Sequence, residues 1–141
     1  MFSVQFMVMG PPVGKQRPRF RRMGNFVKTY TASKTKKYED LISEQAMIAM
    51  GNENPLETPV VVCIYIRMSV PKSYSKQRTK DCLNGLEKPT KKPDIDNVAK
   101  AVTDAMNEIV YKDDAQIVSM HITKVYAITP AVEVLVSEDL P

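Results

Sequence analysis

The sequence is poor in cysteine and histidine. Two cysteines, Cys63 and Cys82, and one histidine, His121, make up the whole supply. That excludes a disulfide framework and a four-ligand Cys/His zinc site. Glycine is scarce, at five residues, and nowhere forms a Gly-rich phosphate loop, which argues against an enzyme of small phosphorylated molecules. No run approaches the roughly 18 apolar residues of a membrane span. Residues 1–10 have no basic segment ahead of an apolar stretch, so no secretory signal is expected. The expected setting is therefore reducing and cytoplasmic, with no membrane partner. Acidic residues are missing altogether from positions 1–38, which carry nine Lys/Arg.

The other charges are also unevenly placed. Residues 67–92 hold eight basic and two acidic side chains, and residues 93–141 hold three basic and nine acidic ones. Apolar residues make up 43% of the 141, ordinary for one soluble domain spanning the chain. A chain of this length buries about 68–70% of its unfolded surface and needs no staples. Clustered Lys/Arg suit a polyanion, because they release its counterions on binding. A basic run by itself is more often a solvated face. Here Phe20, Phe26 and Tyr30 lie among Arg17, Arg19, Arg21, Arg22 and Lys28, and such aromatics can stack on bases.

Residues 2–9 alternate, with Phe2, Val4, Phe6 and Val8 on one face of a half-buried strand. Gly10-Pro11-Pro12 stops it, and residues 15–30 read as a basic loop or ribbon. A helix is expected over residues 33–50, with Tyr38, Leu41, Ile42, Gln45, Ile48 and Ala49 sharing a face and Gly51 at its C-cap. The β-branched run 59–69 reads as a central strand. Residues 70–93 read as loop around a short helix, 75–83, ended by Gly85. A second main helix is expected to start from a cap at Asp96 or Asn97, with a stripe of Val98, Val102, Ala105, Met106 and Ile109. Two strands follow, around 116–127 and 132–136. The fold class is α/β (α+β): a small mixed sheet with two main helices.

Chemistry concentrates on Asp94, Asp96, Asp113 and Asp114. In an extended chain Asp94 and Asp96 point the same way. Asp113 and Asp114 lie beyond the far end of a helix roughly 20 Å long. To join the first pair, the strand from 116 must run back alongside the helix, or the helix must be shorter or bent; with the 111–114 turn at the head of a neighbouring strand, the carboxylates can meet. Like charges gathered together need a cation, and oxygen ligands without His or Cys suit Mg²⁺ or Mn²⁺. Lys100 follows Asp96 by about one helical turn and can reach a phosphate in the same region. Each piece has a bland alternative. The carboxylates can be caps and turns, and Lys100 can simply pair with Asp104.

The run Lys92-Pro93-Asp94-Ile95-Asp96-Asn97-Val98-Ala99-Lys100-Ala101, then Asp104-Ala105, then Tyr111-Lys112-Asp113-Asp114-Ala115-Gln116, resembles the RusA family of Holliday-junction resolvases. The clear match covers about residues 92–126. The N-terminal strand ending in Pro-Pro is similar more loosely. The resemblance implies a homodimeric, Mg²⁺-dependent endonuclease, with Mn²⁺ as a possible substitute, that nicks four-way DNA junctions symmetrically in recombination and repair. It places metal ligands at Asp94, Asp96 and Asp114 and the catalytic lysine at Lys100, with Asp113 as the other acidic member. The long basic stretch 72–92 is absent from the shortest members and resembles the prophage branch.

Phosphate contacts are expected first from Lys15, Arg17, Arg19, Arg21 and Arg22, then from Lys76, Arg78, Lys80, Lys91 and Lys92. Two strands must be cut and one chain offers one cluster, which independently favours a dimer. The rival readings are a broader flap or fork nuclease and a non-catalytic DNA-binding module. Cys63 is expected in the core, and His121 on a polar strand face without a special role.

Overall fold

Alternation in the sequence becomes a one-sided sheet. On β1 (Ser3–Met9), Val4, Phe6 and Val8 are buried while Ser3, Gln5 and Met9 are exposed. Every second residue of β4 (Val60–Ser69) behaves likewise, Val60, Val62, Ile64 and Ile66 being fully buried. Burying each such branched side chain contributes about 1.5–3 kcal/mol. The computed structural model describes residues 1–15, 19–23, 26–30 and 33–141, with the backbone alone for 19–23 and 26–30. Those two segments are β2 (Arg19–Met23) and β3 (Phe26–Tyr30), paired antiparallel as a separate ribbon.

The main sheet has the order β1-β6-β4-β5, where β5 is Ile117–Ala127 and β6 is Ala131–Glu138. β6 pairs antiparallel with β1 and β4, while β5 runs parallel to β4. A parallel neighbour needs a long crossover. Here it carries α2 (Lys76–Leu83) and α3 (Ile95–Ala105). With α1 (Ser33–Met50), the result is a small α+β domain of a four-stranded mixed sheet and three helices.

α1 has the expected limits, and Gly51 at its end takes a φ of +57°, a conformation open to glycine. Of its expected face, Tyr38 and Ile42 are buried and Ala49 packs against the core, but the rest of the row differs. Thr35, Tyr38, Ile42, Ala46 and Met50 face inward, whereas Leu41 and Ile48 are 48% and 67% exposed. The helix has apolar residues on two sides. The core takes the side where small residues allow close approach to α3, with Ser43 Oγ donating to the Ala105 carbonyl at 2.9 Å. Cys63 likewise faces the half-open side of the sheet, beside Tyr65 and Arg67 in the alternation of β4, so it is not a core residue.

Residues 70–93 form a loop around α2, the expected short helix. Ser75 caps α2 by accepting from the Arg78 N–H, Cys82 and Pro89 are buried, and Arg78 lies 3.6 Å above the Tyr74 ring. No helix among the described residues is long and apolar enough to cross a membrane.

Candidate active site

α3 begins at Ile95 with Asp94 as its N-cap, two residues before the expected start. Asp96 therefore sits in the first turn, and the two carboxylates are not alternate residues of an extended segment. The Asp94 side chain caps none of the helix N–H groups, and its Oδ2 accepts from Asn97 Nδ2 at 3.3 Å. The Asp96 carboxylate makes no hydrogen bond or ion pair among the described residues, and both side chains are exposed. The helix dipole favours carboxylates at this end, so their presence alone would be unremarkable.

Their surroundings make the difference. Asp94 and Asp96 line a cleft of about 730 Å³ with Pro12, Val13, Gly14, Lys15, Lys34, Lys92, Pro93 and Asn97. Two contacts fix its walls. A Cβ on Gly14 would stand 2.9 Å from Asn97 Cβ, so only glycine lets this loop lie against α3, where the Lys15 N–H donates to the Asn97 carbonyl at 2.8 Å. From β5, Lys124 Nζ donates to the carbonyls of Lys91 at 2.8 Å and Pro93 at 3.1 Å, holding the segment that delivers Asp94.

One turn beyond Asp96, Lys100 Nζ donates to Asp104 Oδ1 at 3.2 Å, the ion pair that was the plain alternative for this lysine. Asp104 Oδ2 accepts from Lys15 Nζ at 2.9 Å, and Lys15 also pairs with Glu39 Oε1 at 2.8 Å. Burial alone would push the Asp104 carboxyl up, but the hydrogen bonds from Lys15 and Lys100 outweigh it and hold it below the ordinary range. Burial likewise opposes charge on Lys15, yet Glu39 and Asp104 raise its pKa.

At the other end of α3, Asp113 caps a short 3₁₀ turn, Asp114–Gln116, at the head of β5. Its Oδ2 accepts from the Ala115 N–H while Gln116 Oε1 accepts from the Asp113 N–H, a reciprocal cap that gives Asp113 a structural task. Asp114 lines a separate cleft of about 450 Å³ with Thr103, Ile117, Val118, Ser119 and Met120. Nearby, Tyr111 is buried and donates to the Thr103 carbonyl at 2.7 Å; burial raises its pKa, and Asp114, Asp104 and Asp113 add to the rise.

The expected strand-head turn exists, and β5 runs back alongside α3 as that reading required. Lys124 meets the helix start, and residues 117–120 lie by Thr103. Asp114 thus lines the cleft beside Thr103, whereas Asp94 and Asp96 line the other one. Among the described residues no three His, Cys, Asp or Glu side chains gather around one metal position. Asp94 and Asp96 do fit a hard divalent cation, which binds through one or two carboxylates, keeps waters and takes up substrate phosphate.

Of the expected phosphate contacts, Lys76, Lys80, Lys91 and Lys92 are exposed. Arg78 is held by both Glu87 carboxylate oxygens, with Nη2–Oε1 at 2.7 Å. Arg17 and the side chains of Arg19, Arg21 and Arg22 lie outside the described residues. Lys34, Gly14 and Lys124 join the site without having been expected. Lys34 belongs to the basic run 1–38 and was legible as part of it, whereas nothing local distinguished the other two.

The family profile for endodeoxyribonuclease RusA matches residues 9–137. YqaN, an uncharacterized protein of Bacillus subtilis (strain 168), is 34% identical over 142 residues, covering 98% of this chain and 98% of its own. The first match takes in every element from the end of β1 into β6, not the acidic motif alone. The chain belongs to the RusA endodeoxyribonuclease family, nucleases of Holliday-junction DNA that generally depend on a divalent metal.

Proposed function

We propose that this chain is a Mg²⁺-dependent endonuclease that resolves Holliday junctions by paired symmetric nicks. The observation that carries the reading is the pair Asp94 and Asp96 in one cleft with Lys34 and Lys92, with Lys100 one turn further along α3. Asp94 and Asp96 would hold the cation. Asp114, in the neighbouring cleft beside Thr103, is the third candidate ligand taken from the family pattern. A divalent ion there supplies charge neutralisation and a more acidic water, and Mn²⁺ meets the same needs.

The chain's own side chains do the rest. Lys100 stabilises charge on a non-bridging phosphate oxygen. Lys34 and Lys92 counter the flanking phosphates, and Lys76, Lys80 and Lys91 extend the basic surface for the junction arms. Hydrolysis needs no covalent intermediate. Two cuts related by a two-fold axis call for two copies, so the working unit is a homodimer.

The test is an end-labelled four-way junction beside a matched linear duplex, each incubated with Mg²⁺, with Mn²⁺ or with EDTA. Metal-dependent nicks at symmetric positions near the crossover are the expected result. Equal cutting of the duplex would remove junction selectivity. Tight binding without cutting in either metal would favour a binding module.

A further inference from the structure

We propose that Lys15 is a positioning residue that sets the Lys100 ammonium through Asp104, and that it is not a phosphate contact. The proposal rests on the nuclease reading above and deepens it.

Lys15 lies along α3 for two turns. Its N–H donates to the Asn97 carbonyl at 2.8 Å, and its Nζ reaches Asp104 Oδ2 at 2.9 Å. Lys100 projects from the helix between those anchors. The four charges alternate in sign as Glu39, Lys15, Asp104 and Lys100, with contacts of 2.8, 2.9 and 3.2 Å. Exposure changes abruptly along the chain of contacts. The side chains of Glu39, Lys15 and Asp104 are 16%, 26% and 20% exposed, whereas that of Lys100 is 61% exposed. Three members form a sheltered base, and the fourth stands in solvent where a phosphate can reach it.

Charge arithmetic separates the two lysines. Lys15 faces two carboxylates, so its attraction for a polyanion is largely cancelled. Among the described residues Lys100 pairs with one carboxylate, which it shares, and two of its three ammonium donors have no partner. Sharing also restrains Asp104. With Lys15 gone, Lys100 would be the one cation left on Asp104 in this network, and the carboxylate would draw its ammonium down against α3, away from the phosphate. Lys15 thereby keeps the reactive ammonium available, and Glu39 keeps Lys15 in place from α1.

The experiment uses the full-length chain and a four-way junction. Single-turnover cleavage is measured in Mg²⁺, and junction affinity is measured in EDTA across a salt series. Variants are Lys15→Met, Lys15→Arg, Asp104→Asn, Lys100→Met and the double variant Lys15→Met/Lys100→Met. Lys15→Met should slow cleavage on the order of 10- to 100-fold, the scale of a misplaced reactive group. Its affinity and salt slope should match the parent chain. Lys15→Arg should recover most of the rate, and Asp104→Asn should lose as much as Lys15→Met. In the Lys100→Met background, Lys15→Met should cost nothing more.

A salt slope shallower by about one unit in Lys15→Met would make Lys15 a phosphate contact and overturn the proposal. So would an unchanged rate, or a loss that multiplies in full with that of Lys100→Met. If Lys15→Met does not fold, Lys15→Arg and Asp104→Asn decide the matter by the same readouts. A parent chain that cuts no junction in either metal would overturn the nuclease reading itself, and this role with it. Failure of the role alone appears as normal parent cutting with one of the three contrary results.

Discussion

One face of α3 is packed into the core and the other lies in solvent, and the two are built differently. Inward, Val98, Val102 and Met106 at its end are fully buried, and the small Ala101 and Ala105 let α1 come close. Outward stand Asp96, Lys100 and Asp104, the last two joined to each other and, through Asp104 and Lys15, to the N-terminal loop by charge. The inner face fixes where the helix sits, and dense packing makes that position stiff. The outer face inherits that stiffness, which is what a site needing precise placement requires. Stability and chemistry are therefore separable on one 11-residue helix.

The sharpest way to break this separation is Asp96→Asn. It removes a negative oxygen from the outer face and leaves the packed face untouched. Junction cleavage should fall on the order of a thousandfold or more, about 4 kcal/mol in the barrier. Junction affinity measured in EDTA should stay within a few-fold, because the basic surface is intact. Loss of both together would mean that Asp96 organises the DNA-binding surface. The converse change is Met106→Ala. Met106 is fully buried, so truncation should cost about 2–5 kcal/mol in urea unfolding. The single-turnover rate of the folded fraction should remain close to that of the parent. A large rate loss in fully folded Met106→Ala would show that the two faces are coupled.

Gly14→Ala probes the seam between the faces. Its new methyl would meet Asn97 Cβ at 2.9 Å and Pro93 Cβ at 3.3 Å, both tied to the backbone that presents Asp94 and Asp96. Such overpacking should destabilise the chain by about 1–3 kcal/mol. Cleavage should drop further than the unfolded fraction explains, because the carboxylates would shift with the loop. Thermal unfolding and single-turnover rates on the same sample separate the two effects.

Much of the inner face was legible in the sequence, and much of the outer face was not. The alternations in β1 and β4 and the stripe Val98, Val102, Ala105, Met106 report burial directly, since spacing and side-chain type carry that information. The residue types for the chemistry were legible too, because D-x-D-N, Lys100 and the later Asp-Asp are local strings. Position was harder. Asp94 and Asp96 are both good caps, so the helix start was ambiguous by two residues. Asp114 depends on the parallel register of β5 on β4, which no local pattern encodes. The partners of Lys15, Glu39 and Asp104, come from distant elements, and a basic run gives no hint that one of its members is already paired. Two apolar sides on α1 left the choice of buried row to packing against α3.

The gentlest test of the comparison is acid. The Asp104 carboxyl is held below the usual value, so it contributes stability that is present above about pH 4 and lost as pH falls through its depressed value. Lys15 is shifted upward, so its contribution is complete below about pH 10 and fades only at higher pH. Between those limits the network should be whole. Asp104→Asn should therefore be less stable than the parent by no more than about 1 kcal/mol, the scale of partly exposed ion pairs. That gap should be flat from pH 5 to 9 and should close as pH falls through the depressed value of Asp104 and the parent's own carboxylate takes up a proton. Met106→Ala, by contrast, should keep the same deficit throughout, because what it removes is buried apolar packing. A gap in Asp104→Asn that persists unchanged into acid would mean that the carboxylate acts through packing, and that the outer face of α3 is held by shape in the same way as the inner one.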